Sequence, residues 1–206
     1  RLFLKGNGLW EICSMGTSSM MIKGGNGITK EEIVDAALEI TREKGISAVT
    51  ARSLAERLGS SSKPLFSIFE NMSELHFAVI EAADREYQAF LNGYIKSGKY
   101  PPYKATGMGY IFFAKENREL FKLLFMRDRS NEKITDNKEE LAPIIDIIVK
   151  NTGMSRETAY RFHLEMWLFV HGIATMEATS YLNLDDEFIS NALTDLYNGL
   201  KIRFGS

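Results

Sequence analysis

Between Ala51 and Phe69 the chain reads ARSLAERLGSSSKPLFSIF. Ser61, Ser62, Lys63 and Ser67 place three hydroxyls and an ammonium within seven residues. Such groups can hydrogen-bond base edges and phosphate oxygens, and they carry no bond-making chemistry of their own. The residues between them have a second regularity. Leu54, Leu58, Leu65 and Ile68 are apolar, Ala55 is small and Gly59 stands at the join. Two short helices crossing steeply need inward apolar residues on both, a small side chain at the crossing and a left-handed glycine at the corner. The second helix can then lie in a major groove with its polar side outward. Arg52, Arg57 and Lys63 add local positive charge, whereas Glu31, Glu32, Asp35, Glu39 and Glu43 make the preceding segment acidic. A plain helical hairpin buried in a core is the alternative that spacing leaves open.

A second set lies further along. His163, Trp167 and His171 recur every four residues and so share one helix face. Eight helical residues separate the two imidazoles by about 12 Å, too far for one ion, so contact with a ligand is the chemistry they suit and no metal is expected. A partly buried histidine hydrogen-bonded beside Trp167 is the plainer alternative. The middle of the chain is rich in aromatic and methionine side chains, Tyr110, Phe113 and Phe125 among them, which can line an apolar pocket or fill a core. Catalytic devices are missing from the sequence: there is no Gly-x-x-x-x-Gly-Lys-Ser/Thr, no Gly-x-Ser-x-Gly and no His-Glu-x-x-His. Gly24-Gly25-Asn26-Gly27 follows no strand, and Asp185-Asp186 reads as helix-start charge. The chain is expected to be no enzyme, with no catalytic residue and no cofactor.

The elements that must position these groups are helices. From Thr29 onward apolar residues recur at helical spacing, and no period-two stretch stands out, which predicts an all-α fold. Thr29 with Glu32 forms a capping pattern, and Ile33, Ala36, Ala37 and Ile40 make one stripe ending at Gly45. Thr50 caps a second helix through Leu58, and a third covers about Ser62 to Ser67. Asn71, followed by Glu74, opens a long fourth helix toward Lys96. Tyr100-Pro101-Pro102 breaks the chain. Further helices are predicted at Tyr103 to Lys115, Arg118 to Met126, Lys138 to Lys150, Arg156 to Leu182 and Asp186 to Arg203, with Asn117, Ser155 and Asp185 as caps and Gly153 as a break. That makes about nine helices.

With 206 residues, 25 basic against 27 acidic side chains and 45% hydrophobic residues, the chain can bury a core and lacks a globally basic balance. Any interaction with nucleic acid must be local. Cys13 is the sole cysteine, so no internal disulfide forms and a reducing, cytoplasmic setting fits. No apolar run reaches the roughly 18 residues of a membrane span. Residues 1–27 read as a flexible leader, in which Met15, Met20 or Met21 could be the start and Arg1 to Ser14 upstream sequence.

One helix-turn-helix head contacts one half-site, so a two-fold dimer is expected. The last two helices carry apolar and small residues at helical spacing, Val170, Ile173, Ala174 and Ala178, then Ile189, Leu193, Leu196 and Leu200. That stripe suits a four-helix interface between copies, or closes the chain's own core.

The stretches IVDAALEITREKGISAVTARSLAERLG and LFSIFENMSEL make Thr29 to Leu75 resemble the amino-terminal DNA-binding domain of the TetR family of bacterial regulators. The resemblance covers under a quarter of the chain. It implies a head at residues 28–75 and a helical ligand-binding and dimerisation domain at 76–206. It implies that Thr50 holds a backbone phosphate, that Arg52 reaches DNA and that Ser61, Ser62 and Lys63 read the groove, with Ser60, Phe66 and Ser67 completing the surface. It further implies a homodimer paired through the last two helices, a palindromic operator in double-stranded DNA, and a small, largely apolar ligand that moves the heads out of register and releases the operator. Tyr110, Phe113, Phe125, His163, Trp167 and His171 are the candidate ligand contacts. His171-Gly172 within WLFVHGIA also resembles a segment of some TetR-like carboxy-terminal domains. Two departures stand out. Phe66 occupies the place of a tyrosine whose hydroxyl contacts phosphate, and Met72 that of a phosphate-binding lysine. Each removes a backbone contact, which predicts weaker, salt-sensitive binding or compensation from Lys23, Lys30 or Lys44. The rival reading is a helix-turn-helix-derived adaptor that binds another protein without ligand response.

Overall fold

The computed structural model describes residues 27–128 and 138–205. The leader anticipated at residues 1–27, with Cys13 and Lys23, lies outside them except for Gly27. Among the described residues the fold is all-α, with nine helices, a short 3-10 turn and no strand. The helices are α1 (Lys30–Lys44), α2 (Ala51–Arg57), α3 (Lys63–Ile68), α4 (Met72–Lys96), α5 (Pro102–Glu116), α6 (Arg118–Phe125), α7 (Lys138–Thr152), α8 (Arg156–Ala178) and α9 (Asp186–Gly205). The chain divides into two compact units between Ala82 and Ala83, inside α4.

In the amino-terminal unit the capping box at α1 is complete. The Glu32 amide donates to Thr29 Oγ1 at 3.1 Å and the Thr29 amide to Glu32 Oε2 at 2.8 Å. Ile33, Ala37 and Ile40 are buried, and Gly45 (φ 80°) ends the helix. A 3-10 turn at Ile46–Ala48, which no spacing announced, carries the chain to Thr50. Thr50 caps α2, with Ser53 returning the bond where the usual capping box has an acid or amide. Gly59 supplies the left-handed corner at φ 60°. Leu54, Leu65, Phe69, Leu75 and Val79 form the core of this unit, each burial worth roughly 1.5–3 kcal/mol. Leu58 and Ile68, taken as inward-facing from their spacing, are half-buried.

Asn71 caps α4 through Oδ1, accepting from the Glu74 amide at 3.0 Å. The Glu74 carboxylate returns to the Glu70 amide at 2.7 Å, one residue earlier than in a capping box. In the carboxy-terminal unit α5 begins at Pro102 itself, a position where the missing N–H costs nothing. Asn117 stands at the start of α6 but its side chain makes no capping bond, whereas Ser155 and Asp185 cap α8 and α9. α8 stops at Ala178, four residues short of the predicted Leu182. Ser180 turns left-handed (φ 58°) and the buried Glu177 accepts the Leu184 amide at 2.8 Å, drawing the chain back. Against α4, α5 presents Gly109, where a Cβ would stand 2.9 Å from Leu91 Cδ1 and 3.3 Å from Tyr94 Cβ.

The stripe assigned to dimer pairing faces inward. Val170, Ile173, Ala174, Ala178, Ile189, Leu193 and Leu200 are buried within the chain, because they are the faces that α5, α8 and α9 turn toward each other. A different stripe is exposed: Leu164, Leu168 (57% exposed) and Met176 on α8, with Phe188 and Ile202 (77%) on α9. Gly172, on the α8 stripe, and Gly199 have open space over their Cα.

Candidate functional site

The helix-turn-helix head presents a polar ridge. Arg52, Ser61, Ser62, Lys63, Phe66 and Ser67 are exposed, Ser60 is half-buried, and Thr50 is exposed at the start of α2. Two of the serines are committed locally: Ser60 donates to the Ser61 carbonyl at 2.9 Å and Ser67 to the Pro64 carbonyl at 2.7 Å. The Thr50 oxygen already accepts the Ser53 amide at 3.1 Å. Ser61, Ser62 and Lys63 are exposed at the join of α2 and α3, and Arg52 is exposed in the first turn of α2.

Charge on this unit is uneven. Residues 28–75 hold six cations and eight acids, so position decides what an anion meets. Arg57, grouped by sequence with Arg52 and Lys63, turns to α1 and bridges Glu39 at 3.0 Å and Glu43 at 2.8 Å. Those bonds hold its guanidinium above its ordinary pKa, the Glu43 bond most. The bridge engages two acids of α1 and leaves Arg52 and Lys63 as the outward cations of the motif. Lys30 lies 5.1 Å over the Phe69 ring. Phe66 is 53% exposed, an unusual place for a phenyl ring, and Met72 is half-buried.

In the carboxy-terminal unit five of the six candidate ligand residues gather and one stands apart. Tyr110 packs on Phe125 (4.9 Å) and its hydroxyl meets His171 Nδ1 at 2.9 Å. Tyr87, which the sequence reading did not select, joins Tyr110, Phe113 and Phe125 at 5.0–6.0 Å. Trp167 stacks on His171 with ring centroids 5.0 Å apart and planes 12° from parallel. His163 belongs to another group, meeting the Tyr103 hydroxyl at 3.0 Å near Phe162 and Tyr197. Burial pushes His163 down to about 4 and lowers His171 too, so both imidazoles are neutral near pH 7. Burial also raises Asp84, one turn from Tyr87 on α4.

Several buried polar atoms here have no hydrogen-bond partner among the described residues: Asp84 Oδ1, Gln88 Nε2, Thr175 Oγ1 and Glu177 Oε2. Buried polar groups are usually paired, so such atoms mark places where something is missing or strain is held. The first three lie within about one turn of Tyr87 or His171. No group of three metal-ligating side chains occurs among the described residues.

Fold and head together define the class: an all-helical regulator with an amino-terminal helix-turn-helix. The description "Bacterial regulatory proteins, tetR family" matches residues 33–79, and "Tetracyclin repressor-like, C-terminal domain" matches residues 103–196. The chain belongs to the TetR family. It is 28% identical over 108 residues to the class D tetracycline repressor protein of Escherichia coli and, equally, to the class H protein of Photobacterium damsela subsp. piscicida. Those alignments take in 52% of this chain and 44% of each relative. The fold is similar to the crystal structure of a TetR variant from Acinetobacter baumannii AYE in complex with minocycline, with a TM-score of 0.58 at 19% identity over 87% of this chain and 99% of that one. No helix among the described residues is long and apolar enough to cross a membrane.

Proposed function

We propose that this chain is a cytoplasmic transcriptional repressor that binds a palindromic operator as a homodimer and leaves it when a small, largely apolar ligand occupies the carboxy-terminal unit. The observation that carries the reading is the outward pair Arg52 and Lys63 beside Ser61 and Ser62, on a motif whose third cation is diverted to α1. In a groove, the serine hydroxyls meet base edges, Lys63 spans a base edge and a phosphate, and Arg52 and Thr50 meet phosphates. The exposed apolar stripes of α8 and α9, with Gly172 and Gly199 allowing close approach of another helix, support pairing of the last two helices with a second copy. The aromatic cluster around Tyr110, Phe125, Trp167 and His171 supports a ligand site. For release, the ligand must bind one spacing of the heads better than the other.

The test is selection of duplexes from a random library by the purified protein, with an Arg52→Ala, Lys63→Ala double variant alongside. A palindrome enriched by the native chain and lost by the variant supports the repressor. No enrichment at low salt sinks the DNA-binding reading. The adaptor reading is favoured by the absence of phosphate-contacting groups at Phe66 and Met72 and would then stand in its place.

A further inference from the structure

We propose that Trp167, His171 and Thr175, set one turn apart along one face of α8, form the recognition face for an uncharged planar aromatic molecule bearing a ring carbonyl. The proposal rests on the ligand-response reading above and names the chemistry of that ligand.

Planarity comes from the two rings. Trp167 and His171 are already stacked nearly parallel on successive turns, and both are half-buried. Tyr110 and Phe121 stand 6.1 and 6.3 Å from the imidazole at tilted angles. A flat aromatic molecule extends such a stack with offset faces; a flexible alkyl chain gains nothing from ring orientation.

The carbonyl comes from Thr175. Threonines inside helices commonly return their hydroxyl proton to the carbonyl four residues back. Thr41, Thr152 and Thr194 do so here, onto Ala37, Ile148 and Ser190 at 2.7–2.9 Å. Thr175 departs from this habit: its Oγ1 is buried and has no partner among the described residues. A hydroxyl donor is thereby kept one turn beyond His171, whose Nδ1 is occupied by the Tyr110 hydroxyl. Where the phenol donates, Nε2 carries the imidazole proton and is a second donor. Two donors beside a ring stack match the edge of a lactone or cyclic ketone and leave an aliphatic acid or an unsubstituted arene poorly served.

The experiment uses the full chain with Trp10→Phe, so that Trp167 is its remaining tryptophan. Coumarin, naphthalene and decanoic acid are measured by equilibrium dialysis and by quenching of Trp167 fluorescence. Coumarin is expected to bind saturably and tightest. Thr175→Val, which keeps the shape and removes the hydroxyl, is expected to weaken coumarin ~5-fold while leaving naphthalene unchanged. Equal weakening of both probes, decanoic acid binding as tightly as coumarin, or no binding of any probe overturns the proposal. Operator release is scored separately: decanoic acid that releases DNA while coumarin does not bind removes this recognition face and leaves ligand response standing, whereas coumarin that binds as described without moving the operator complex counts against ligand response alone.

Discussion

Nη2 of Arg57 lies 2.8 Å from Oε2 of Glu43, and this contact ties the end of α2 to α1. A cation so held has its charge met within the protein, so it adds little attraction for a phosphate. Arg52 on the preceding turn is exposed and has no such bridge among the described residues. Arg52→Ala is therefore expected to weaken operator binding by at least ~10-fold, as loss of a charged DNA contact does. Arg57→Ala should lower the thermal midpoint slightly and leave DNA affinity nearly intact. Fluorescence anisotropy and thermal melts on both variants check the pair; a larger binding loss from Arg57→Ala would reverse the assignment.

Phe66 offers a gain-of-function test. Its ring is 53% exposed on α3, so a hydroxyl added at its tip meets solvent and not core. Phe66→Tyr is predicted to tighten DNA binding ~5-fold by one hydrogen bond. Lys63→Ala should reduce the slope of log affinity against log salt by about one, the signature of one phosphate neutralised. If salt titrations give the same slope for Lys63→Ala as for the native chain, Lys63 makes no phosphate contact.

His163 makes folding stability depend on pH. Folded, burial holds its imidazole neutral down to about 4; unfolded, it protonates near 6.5. Its contribution is complete above pH ~6.5 and is lost as pH falls toward 4, since the unfolded chain takes the proton first. The loss is on the order of 3 kcal/mol. His163→Gln keeps a partner for the Tyr103 hydroxyl and cannot titrate, so denaturant unfolding between pH 7 and 4 should show a flatter decline. An unchanged decline would place the acid sensitivity elsewhere.

Leu168 sits at the middle of the exposed α8 stripe. Leu168→Glu buries nothing in the monomer and sets like charges facing across a two-fold pairing. Sedimentation should show a folded monomer, and operator affinity should fall ~100-fold or more with loss of the second head. The control is Ile173→Glu, on the buried face, which should unfold the protein instead.

The fold was legible because helical periodicity and caps act locally. Thr29, Thr50, Ser155 and Asp185 cap where their types and the following turn say they should. What sequence could not supply was direction. Val170 and Leu168 are two apart and equally apolar, so period alone leaves open which faces α5 and which faces outward. The same holds for Arg57, whose partners Glu39 and Glu43 are on another helix, and for His163, which spacing grouped with His171 although its partner is Tyr103 and that of His171 is Tyr110. Periodicity runs α8 past its end at Ala178 because a buried Glu177 capturing the Leu184 amide is a contact across a turn, invisible to spacing. In the head, the polar ridge was visible as residue types; that Ser60 and Ser67 spend their hydroxyl protons on nearby carbonyls was not.

Gly109 sets a tolerance. Leu91 can swing its methyl aside, but Tyr94 meets the missing Cβ with its own Cβ, which moves only with the backbone. The back half of α4 and α5 are thus machined to fit with no clearance, and they must travel as one piece or not at all. A guest that nudges Tyr110, the next residue of α5, pushes on a part already keyed to α4, so the keyway at Gly109 fixes how much play the joint can have.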